Sequence, residues 1–261
     1  MLVEINAGEN QRRVRRDAVL PRPPAPPVRP TDGWYPAWKS RLEWMAALLL
    51  LLFTWPLILL AALVVKLTSR GPAFYSQTRL GKHGRPYVIW KLRTMYHNAE
   101  HATGPCWATV GDPRVTRVGR FLRATHLDEL PQLWNVLRGE MSLVGPRPER
   151  PEFVNQLAPL IPRYRDRLLL LPGVTGLAQV QLPADTDLDS VRRKIAHDLW
   201  YLQRVGPWLD LCIVLMTACD LVGVPYALSR RFLPVPASAQ IEAAYERQVA
   251  EEEKQRQARP A

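Results

Sequence analysis

Residues 45–65 read MAALLLLLFTWPLILLAALVV, an apolar run of 21 residues without a charged side chain. At about 1.5 Å per residue, a helix of this length reaches across the hydrocarbon core of a bilayer. Thirteen of the 21 residues are Leu, Ile, Val or Phe, and insertion gains on the order of 4–8 kcal/mol at roughly 0.3–0.6 kcal/mol each. The run predicts a membrane-resident helix. On length alone, the alternative is a buried helix of a soluble protein.

Pro56 lies near the middle of this run, and basic residues flank both of its ends. A proline inside a helix removes one hydrogen bond and clashes with the preceding turn, at a cost of about 3 kcal/mol or more. Lys39 precedes the run, and Lys66 and Arg70 follow it. Basic residues close to a membrane helix favour the cytoplasmic side. We therefore expect a re-entrant membrane helix over residues 38–68, kinked or broken near Pro56; a straight span satisfies the charge rule at one end only and stays open.

The chain as a whole is strongly basic. Its 261 residues include 35 Lys and Arg against 24 Asp and Glu, a net charge of +11. Such a balance favours polyanionic partners: nucleic acid, an anionic membrane surface or phosphorylated substrates. Cys106, Cys212 and Cys219 have neither a paired nor a zinc-like spacing, which is typical of reduced thiols in the cytosol.

Composition and periodicity divide the rest of the chain. Residues 1–37 include PRPPAPPVRP and predict a disordered Arg/Pro-rich arm, because this composition cannot bury a core. Residues 69–226 mix short β-like and helical patterns, which predict a domain that is mainly α with short β pieces (α+β). The strongly apolar segment 207–226 is expected to be an interfacial helix on the membrane surface. Residues 227–261 predict a charged C-terminal tail without a chemical role, its final stretch either a charged helix or a frayed end.

The segment THLDELPQLWNVLRGEMSLVGPRPE, residues 125–149, places two adjacent carboxylates in a basic neighbourhood. Pro131 favours the first turn of a helix, so Asp128 and Glu129 are expected at or just before a helix start. In one interpretation they only cap that helix and complement its dipole. In the other, an Asp kept ionised by nearby arginines attacks phosphorus, and its neighbour faces a metal ion.

Four arginines precede the two carboxylates at intervals of three residues: Arg114, Arg117, Arg120 and Arg123. On a helix they would form a slowly drifting row. The row is a solvated helix face in one interpretation and a contact with lipid headgroups in a second. In a third, the planar guanidinium groups capture phosphate.

Two further patterns have simple explanations. DTDLD, residues 185–189, resembles the metal site of sugar-nucleotide glycosyltransferases, but it precedes a predicted helix, so helix capping is favoured. PGVTGLAQVQL, residues 172–182, predicts a turn followed by a strand, and a tight turn is sufficient to explain its glycines.

Three stretches, in this order, resemble the bacterial sugar transferase family, the small monotopic polyprenyl-phosphate phosphoglycosyl transferases. They are GPAFYSQTRLGKHGRPYVIWKLRTM (residues 71–95), the segment 125–149, and PGVTGLAQV (172–180). The resemblance implies a re-entrant membrane helix that anchors a cytoplasmic catalytic domain at the bacterial inner membrane. It also implies transfer of a sugar 1-phosphate from a UDP-sugar to polyprenyl (undecaprenyl) phosphate, with release of UMP and initiation of lipid-linked glycan assembly.

The resemblance also implies roles for individual residues. Asp128 is implied as the nucleophile that forms a phosphoaspartate, and Glu129 as a ligand and positioner of Mg2+. Arg147, within Pro-Arg-Pro, is implied in holding the nucleotide diphosphate. The basic positions implied in substrate or phosphate binding are Lys91, Arg93, Arg120, Arg123 and Arg147. One departure concerns the membrane helix, where Trp55 precedes Pro56 while the family often has Ser; Thr54 offers a hydroxyl one position earlier.

The implied partners are a UDP-sugar, polyprenyl phosphate and inner-membrane lipids, and no nucleic acid is expected. Two alternatives from other functional classes stay open. A non-catalytic, basic, membrane-bound interaction protein would satisfy the charge, although it gives no reason for Asp128 and Glu129 among arginines. A polyprenyl-phosphate phosphatase would use the same residues but release inorganic phosphate.

Overall fold

The computed structural model describes residues 34–99, 104 and 111–258. Helices dominate this part of the chain and its strands are short, which confirms the mainly α class with short β pieces. Of the predicted arm, residues 1–37, the first 33 residues lie outside the described part of the chain. Its last four positions belong to the first helix.

The long helix α1 (Trp34–Thr68) is followed by a hairpin of β1 (Phe74–Leu80) and β2 (Pro86–Leu92). Two shorter strands, β3 (Ser142–Val144) and β4 (Gly173–Thr175), pair in parallel. The remaining helices are α2 (Arg117–Ala124), α3 (Gln132–Leu137), α4 (Pro151–Leu157), α5 (Leu177–Gln181), α6 (Leu188–Leu202), α7 (Pro207–Leu221), α8 (Tyr226–Ser229) and α9 (Ser238–Gln257). Because α5 follows β4, the strand predicted at the end of PGVTGLAQVQL is wrong.

The apolar run forms the centre of α1, which remains helical through Pro56. The helix is therefore not interrupted at Pro56, and a kink at this proline stays a prediction. A proline removes a single helical N–H, and α1 packs against the rest of the chain on both sides of Pro56, at Ala47 and Ile58. In the part of the chain that the structure describes, α1 is the one helix long and apolar enough to cross a membrane by its length and composition.

One face of α1 lies on the rest of the domain along most of the helix. The packed positions recur at helical spacing: Ala47, Leu51, Ile58, Ala62 and Val65. Their partners come from β2, α2 and α3. The opposite face is apolar yet exposed, at Met45, Leu49, Leu52, Phe53, Leu59, Leu60, Leu63 and Leu67. A fold that leaves such a continuous apolar surface is typical of contact with lipid.

Polar contacts hold the N-terminal end of α1 to the domain. Lys39 Nζ donates to Asp210 Oδ2 of α7 at 2.5 Å and to Glu43 Oε1 at 2.6 Å. Glu43 in turn accepts from the Ser142 hydroxyl at 2.5 Å and from the backbone N–H of Val144 at 3.0 Å. Since these groups are buried, removing one partner would leave an uncompensated charge.

The β1–β2 hairpin is antiparallel, with Thr78 opposite Val88. Along β2, Tyr87 and Ile89 are buried while Val88 and Trp90 are exposed, the alternation expected of a strand with one covered face. Lys91 lies near the end of this strand, beside its last residue, Leu92.

Helix α7 has one face in the core, through Cys212, Ile213 and Met216, while Trp208 and Leu211 on the other face are exposed. This two-sided apolar character suits an interfacial helix, whose contact with lipid stays a prediction.

The C-terminal segment, residues 227–261, contains a charged helix, and this helix is packed rather than frayed. Its helix α9 packs against α6 and buries Ile241, Tyr245 and Val249 in the main core. The Tyr245 hydroxyl donates to the Pro162 carbonyl at 3.0 Å. The many charges of α9 concealed these three apolar positions, which recur every four residues and form the buried stripe of an amphipathic helix.

Candidate active site

Asp128 and Glu129 occupy a 3₁₀ turn, Leu127–Glu129, between α2 and α3. Pro131, with φ −61°, stands at the N-cap of α3, so the prediction that the two carboxylates lie just before a helix start is confirmed. Because Pro131 rather than Asp128 holds the cap position, helix capping does not explain Asp128. The Asp128 side chain is buried in the turn, with the residue 7% exposed.

Glu129 is held by two cations. Its Oε1 accepts from Lys91 Nζ at 2.7 Å and from Arg147 Nη2 at 2.8 Å. Burial alone would raise the pKa of Glu129, but the charges of Arg147 and Lys91 outweigh it and keep this pKa well below its usual value. Glu129 is therefore a fixed anion that places Lys91 and Arg147 beside the turn.

Asp128 has a different environment. Among the described residues, none forms a hydrogen bond or an ion pair with its carboxylate, although Lys91, Arg123 and Arg147 lie close enough to act on its charge. Burial and then the charge of Glu129 raise the pKa of Asp128 above its usual value, against those three cations. The three cations favour the ionised form of Asp128, and burial and Glu129 oppose them. An unpartnered carboxylate keeps its oxygen lone pairs available for attack.

Arg123 reaches the site from α2. Its Nε donates to the Thr94 hydroxyl at 2.9 Å, and its charge lowers the pKa of Asp128. Gly119, on the same helix, permits this approach, because an added Cβ would lie only 1.9 Å from the Thr94 carbonyl oxygen. The structure therefore gathers Lys91, Arg123 and Arg147 around the two carboxylates.

Arg93 and Arg120 have other surroundings. Arg93 is buried, and its Nη2 donates to the carbonyl and hydroxyl oxygens of Ser69 at 2.9 and 2.7 Å. It thus ties down the chain just after α1. Arg120 is exposed on the outer face of α2 beside exposed Phe121. The structure does not bring either residue to the carboxylates through a described contact, and their roles in phosphate binding stay predictions.

Sequence reasoning missed Asn135, which is fully buried in α3. Its Nδ2 donates to the Val88 carbonyl at 2.7 Å, and its Oδ1 accepts from the Trp90 N–H at 3.2 Å. Nδ2 also donates to Glu140 Oε2 at 2.7 Å. The amide pairs with the outer edge of β2 as a further strand would, and so fixes Lys91 relative to the turn. Only the fold gives a signal for this role.

The glycines of PGVTG allow two backbone segments to touch. An added Cβ on Gly173 would lie 2.1 Å from the backbone N of Gly145, and one on Gly176 would lie 2.1 Å from the Gly145 carbonyl oxygen. Gly173 begins β4 and Gly176 is the extended residue before α5, so a tight turn is the wrong explanation. Their small size instead lets β4 support the segment that carries Arg147.

DTDLD caps a helix, as predicted. The Asp187 carboxylate accepts from the Ser190 N–H at 2.7 Å at the start of α6, and the Ser190 hydroxyl completes a capping box. Asp185 pairs with Lys194. These carboxylates serve α6 and its contacts, and a metal site is not needed to explain them.

The described residues contain no cluster of three or more His, Cys, Asp or Glu side chains able to hold a metal ion. They fit Mg2+ in a site that a substrate completes, because Mg2+ is often held by one or two carboxylates together with phosphate oxygens and water. Glu129 Oε2 has only a 3.5 Å contact with Arg147 Nη1. This oxygen and the Asp128 carboxylate are therefore the available protein ligands.

Curated relatives share much of this chain. A UDP-glucose:undecaprenyl-phosphate glucose-1-phosphate transferase of Caulobacter vibrioides is 50% identical over 186 residues, covering 70% of this chain and 69% of that protein. A UDP-N-acetylgalactosamine-undecaprenyl-phosphate N-acetylgalactosaminephosphotransferase of Aeromonas hydrophila is 44% identical over 179 residues, 69% of this chain and 42% of the relative. A UDP-glucose:undecaprenyl-phosphate glucose-1-phosphate transferase of Escherichia coli is 42% identical over 190 residues, 72% and 41% of the two chains.

The chain thus spans about two thirds of one relative and about two fifths of the other two. The family described as bacterial sugar transferase matches residues 34–223, which include α1, the carboxylate turn, Arg147 and α7. This match covers well over half of the chain, and it includes every side chain gathered around Asp128. The chain belongs to the bacterial sugar transferase family.

Proposed function

We propose that this protein transfers a sugar 1-phosphate from a UDP-sugar to undecaprenyl phosphate and releases UMP, with a phosphoaspartate on Asp128 as the intermediate. The observation that carries the proposal is that the two adjacent carboxylates differ in their partners. Glu129 is bound by Lys91 and Arg147, whereas Asp128 has no described partner. The names of the relatives support the two substrates, and because they include both glucose and N-acetylgalactosamine, no sugar is assigned.

In the first step, an oxygen of ionised Asp128 attacks the phosphorus that carries the sugar. The bond from this phosphorus to the bridging oxygen of the diphosphate breaks, and UMP leaves with that electron pair. Arg147 and Lys91 offset the charge that develops on the phosphate oxygens. Both cations are in place before substrate binds, because Glu129 already orients them.

In the second step, a phosphate oxygen of undecaprenyl phosphate attacks the same phosphorus. The acyl phosphate bond breaks, the Asp128 carboxylate is restored, and the product is an undecaprenyl diphosphate sugar. Two displacements on one carboxylate give ping-pong kinetics. Glu129 Oε2 would hold Mg2+ together with donor phosphate oxygens, and the ion would supply charge neutralisation at the diphosphate.

The acceptor is a lipid, which makes the placement of α1 part of the proposal. We infer that α1 is re-entrant in topology, with both ends and the catalytic domain on the cytoplasmic side of the inner membrane. Lys39 anchors the start of α1 to Asp210, and Arg93 binds Ser69 just after its end. A helix that leaves its domain to cross the bilayer would not keep both contacts.

The function is tested by incubating purified protein with UDP-sugars, undecaprenyl phosphate and Mg2+ and measuring UMP. We expect sustained UMP release that depends on the acceptor, and loss of this turnover in Asp128→Asn. The control Asp189→Asn removes an exposed carboxylate at the start of α6 and should retain the turnover. Full activity of Asp128→Asn would contradict the nucleophile. Inorganic phosphate released in place of UMP would identify a phosphatase.

The topology is tested with single cysteines at Ser40 and Arg70, both exposed at opposite ends of α1, in a background without other cysteines. A maleimide that cannot cross membranes should label both positions in inside-out vesicles and neither in right-side-out vesicles. Labelling of the two positions from opposite sides would establish a straight span.

A further inference from the structure

The segment that carries Arg147, Pro146–Glu149, has a hydrogen-bond donor on each of its four backbone carbonyls. The donors are the Gly173 N–H to Pro146 (2.8 Å), Arg167 Nη2 to Arg147 (2.8 Å), Arg79 Nη1 to Pro148 (3.2 Å) and the Leu80 N–H to Glu149 (3.0 Å). The two prolines also fix φ within the segment. Its backbone is therefore held from several sides, and two of the donors are guanidinium groups rather than backbone.

Arg167 has the most connections among these donors. The residue is 2% exposed. Its Nη2 lies 2.8 Å from the Arg147 carbonyl oxygen and 2.7 Å from Asp198 Oδ2, and its Nη1 lies 3.6 Å from Glu149 Oε1. One planar guanidinium thus joins the backbone under Arg147, the end of the same segment, and helix α6.

These contacts belong to a buried ionic cluster with balanced charge. Lys194 binds Glu149 at 2.5 Å and also pairs with Asp185. The cations are Arg79, Arg167 and Lys194, and the anions are Glu149, Asp185 and Asp198. None of these six side chains contacts the Asp128–Glu129 turn directly in the described structure. Their shared feature is that they surround the backbone from which Arg147 extends.

We propose that Arg167 is a positioning residue: through the Arg147 carbonyl it sets where the Arg147 guanidinium meets Glu129 and the donor diphosphate. The inference rests on the proposed function and adds a residue outside the gathered site. Arg167 donates to the Arg147 carbonyl while its guanidinium also lies beside Asp198 and Glu149. Lysine is a poor substitute, because an ammonium group is a point charge without this planar fork.

Arg163 provides a matched control. Its side chain is 3% exposed and binds two carboxylates, Asp166 and Glu252, each at 2.9 Å. Arg163 shares burial and charge partners of the same kind with Arg167, but it has no described contact with Pro146–Glu149. The pair Arg167→Lys and Arg163→Lys therefore separates the loss of a buried arginine from the loss of support under Arg147.

The test measures kcat and KM for the UDP-sugar in these variants, in Arg147→Ala, and in the double variant Arg147→Ala/Arg167→Lys. A shift of about 1 Å in a positioned group can cost on the order of 100-fold in rate. We expect Arg167→Lys to lose tenfold or more in kcat/KM for the UDP-sugar, with kcat/KM for undecaprenyl phosphate unchanged. Arg163→Lys should stay within about twofold of wild type in both. In the Arg147→Ala background, Arg167→Lys should have little further effect, because coupled residues are not additive.

Binding of UDP, measured by calorimetry without turnover, keeps the two proposals distinguishable. Arg167→Lys should weaken UDP binding several-fold while Arg163→Lys does not, and thermal unfolding should show both variants folded. Additive losses in the double variant, or equal losses in the two Lys variants, would overturn the positioning role. Suppose instead that UDP binding follows the expected order in wild type and the two variants, but wild-type protein releases no UMP. That result would count against the proposed reaction and not against the positioning role. If Arg167→Lys fails to fold, Asp198→Asn removes the partner of Arg167, and the same non-additivity with Arg147→Ala is required.

Discussion

Replacing Gly173 by Ala adds one methyl group where two backbone segments touch beside the active site. The new Cβ would lie 2.1 Å from the Gly145 backbone N, 2.3 Å from the Thr175 carbonyl oxygen and 2.6 Å from the Gly145 carbonyl oxygen. Ordinary contact begins near 3.4 Å, so backbone must move by about 1.3 Å to relieve the shortest contact. Because Gly145 directly precedes Pro146 and Arg147, we expect that movement to reach Arg147.

The expected result is a loss of kcat/KM on the order of 100-fold, the usual effect of misplacing a reacting group by about 1 Å. Stability should fall by about 1–3 kcal/mol, the typical cost of overpacking. The assay is UMP release over a range of UDP-sugar concentrations, together with thermal unfolding of the same preparation.

Gly84→Ala is the control for this substitution. Gly84 has φ +72°, and an added Cβ there would meet nothing within 4 Å, so it costs backbone strain without moving Arg147. We expect its specific activity to remain close to wild type. Wild-type kcat/KM and unfolding temperature in Gly173→Ala would refute the reasoning that close packing of β4 positions Arg147.

Three further predictions concern the structure around the site. Burial would raise the pKa of Glu149, but Lys194 and Arg167 lower it to about 2. Above pH 4.5 this carboxylate therefore adds about 3 kcal/mol of stability, which is lost as the pH falls towards 2. Acid unfolding of Glu149→Gln should lack that pH dependence. Asn135→Asp loses both Nδ2 donor bonds, and denaturant unfolding should show a loss of about 2–3 kcal/mol, with no change contradicting its role. Deletion of residues 237–261 exposes the side chains that α9 covers, and it should cost on the order of 5 kcal/mol by apolar area, measured by the same unfolding; unchanged stability would show that α9 does not support the core.

Much of the site could be predicted from the local sequence. Adjacent Asp128 and Glu129 followed by Pro131 predicted a pre-helical turn, and the structure has one. The structure gathers three of the basic residues named by resemblance, while Arg93 and Arg120 have other surroundings. For Arg120 the reason is that a row of arginines in the sequence does not show which side chain the helix turns inward. Arg123 faces the turn, whereas Arg120, three residues earlier, faces outward.

The remainder depends on contacts between distant parts of the chain. Asn135 binds β2 residues 45 and 47 positions earlier, and Arg167 reaches Asp198 and the Arg147 carbonyl. No local pattern predicts such pairs. At Pro56 the local cost predicted a kink or a break, and packing on both sides of the proline keeps the helix uninterrupted. Tertiary contacts outweighed an intrinsic preference there.

Direct detection of a covalent phosphosugar on the protein tests the central claim. Protein is incubated with a UDP-sugar labelled at the phosphate that bears the sugar, with Mg2+ and without undecaprenyl phosphate, and is then digested and analysed by mass spectrometry. We predict one labelled adduct on Asp128, release of an equal amount of UMP, and loss of the label when undecaprenyl phosphate is added. The account would be contradicted if the complete reaction forms product but no adduct is found at Asp128 in the incubation without undecaprenyl phosphate.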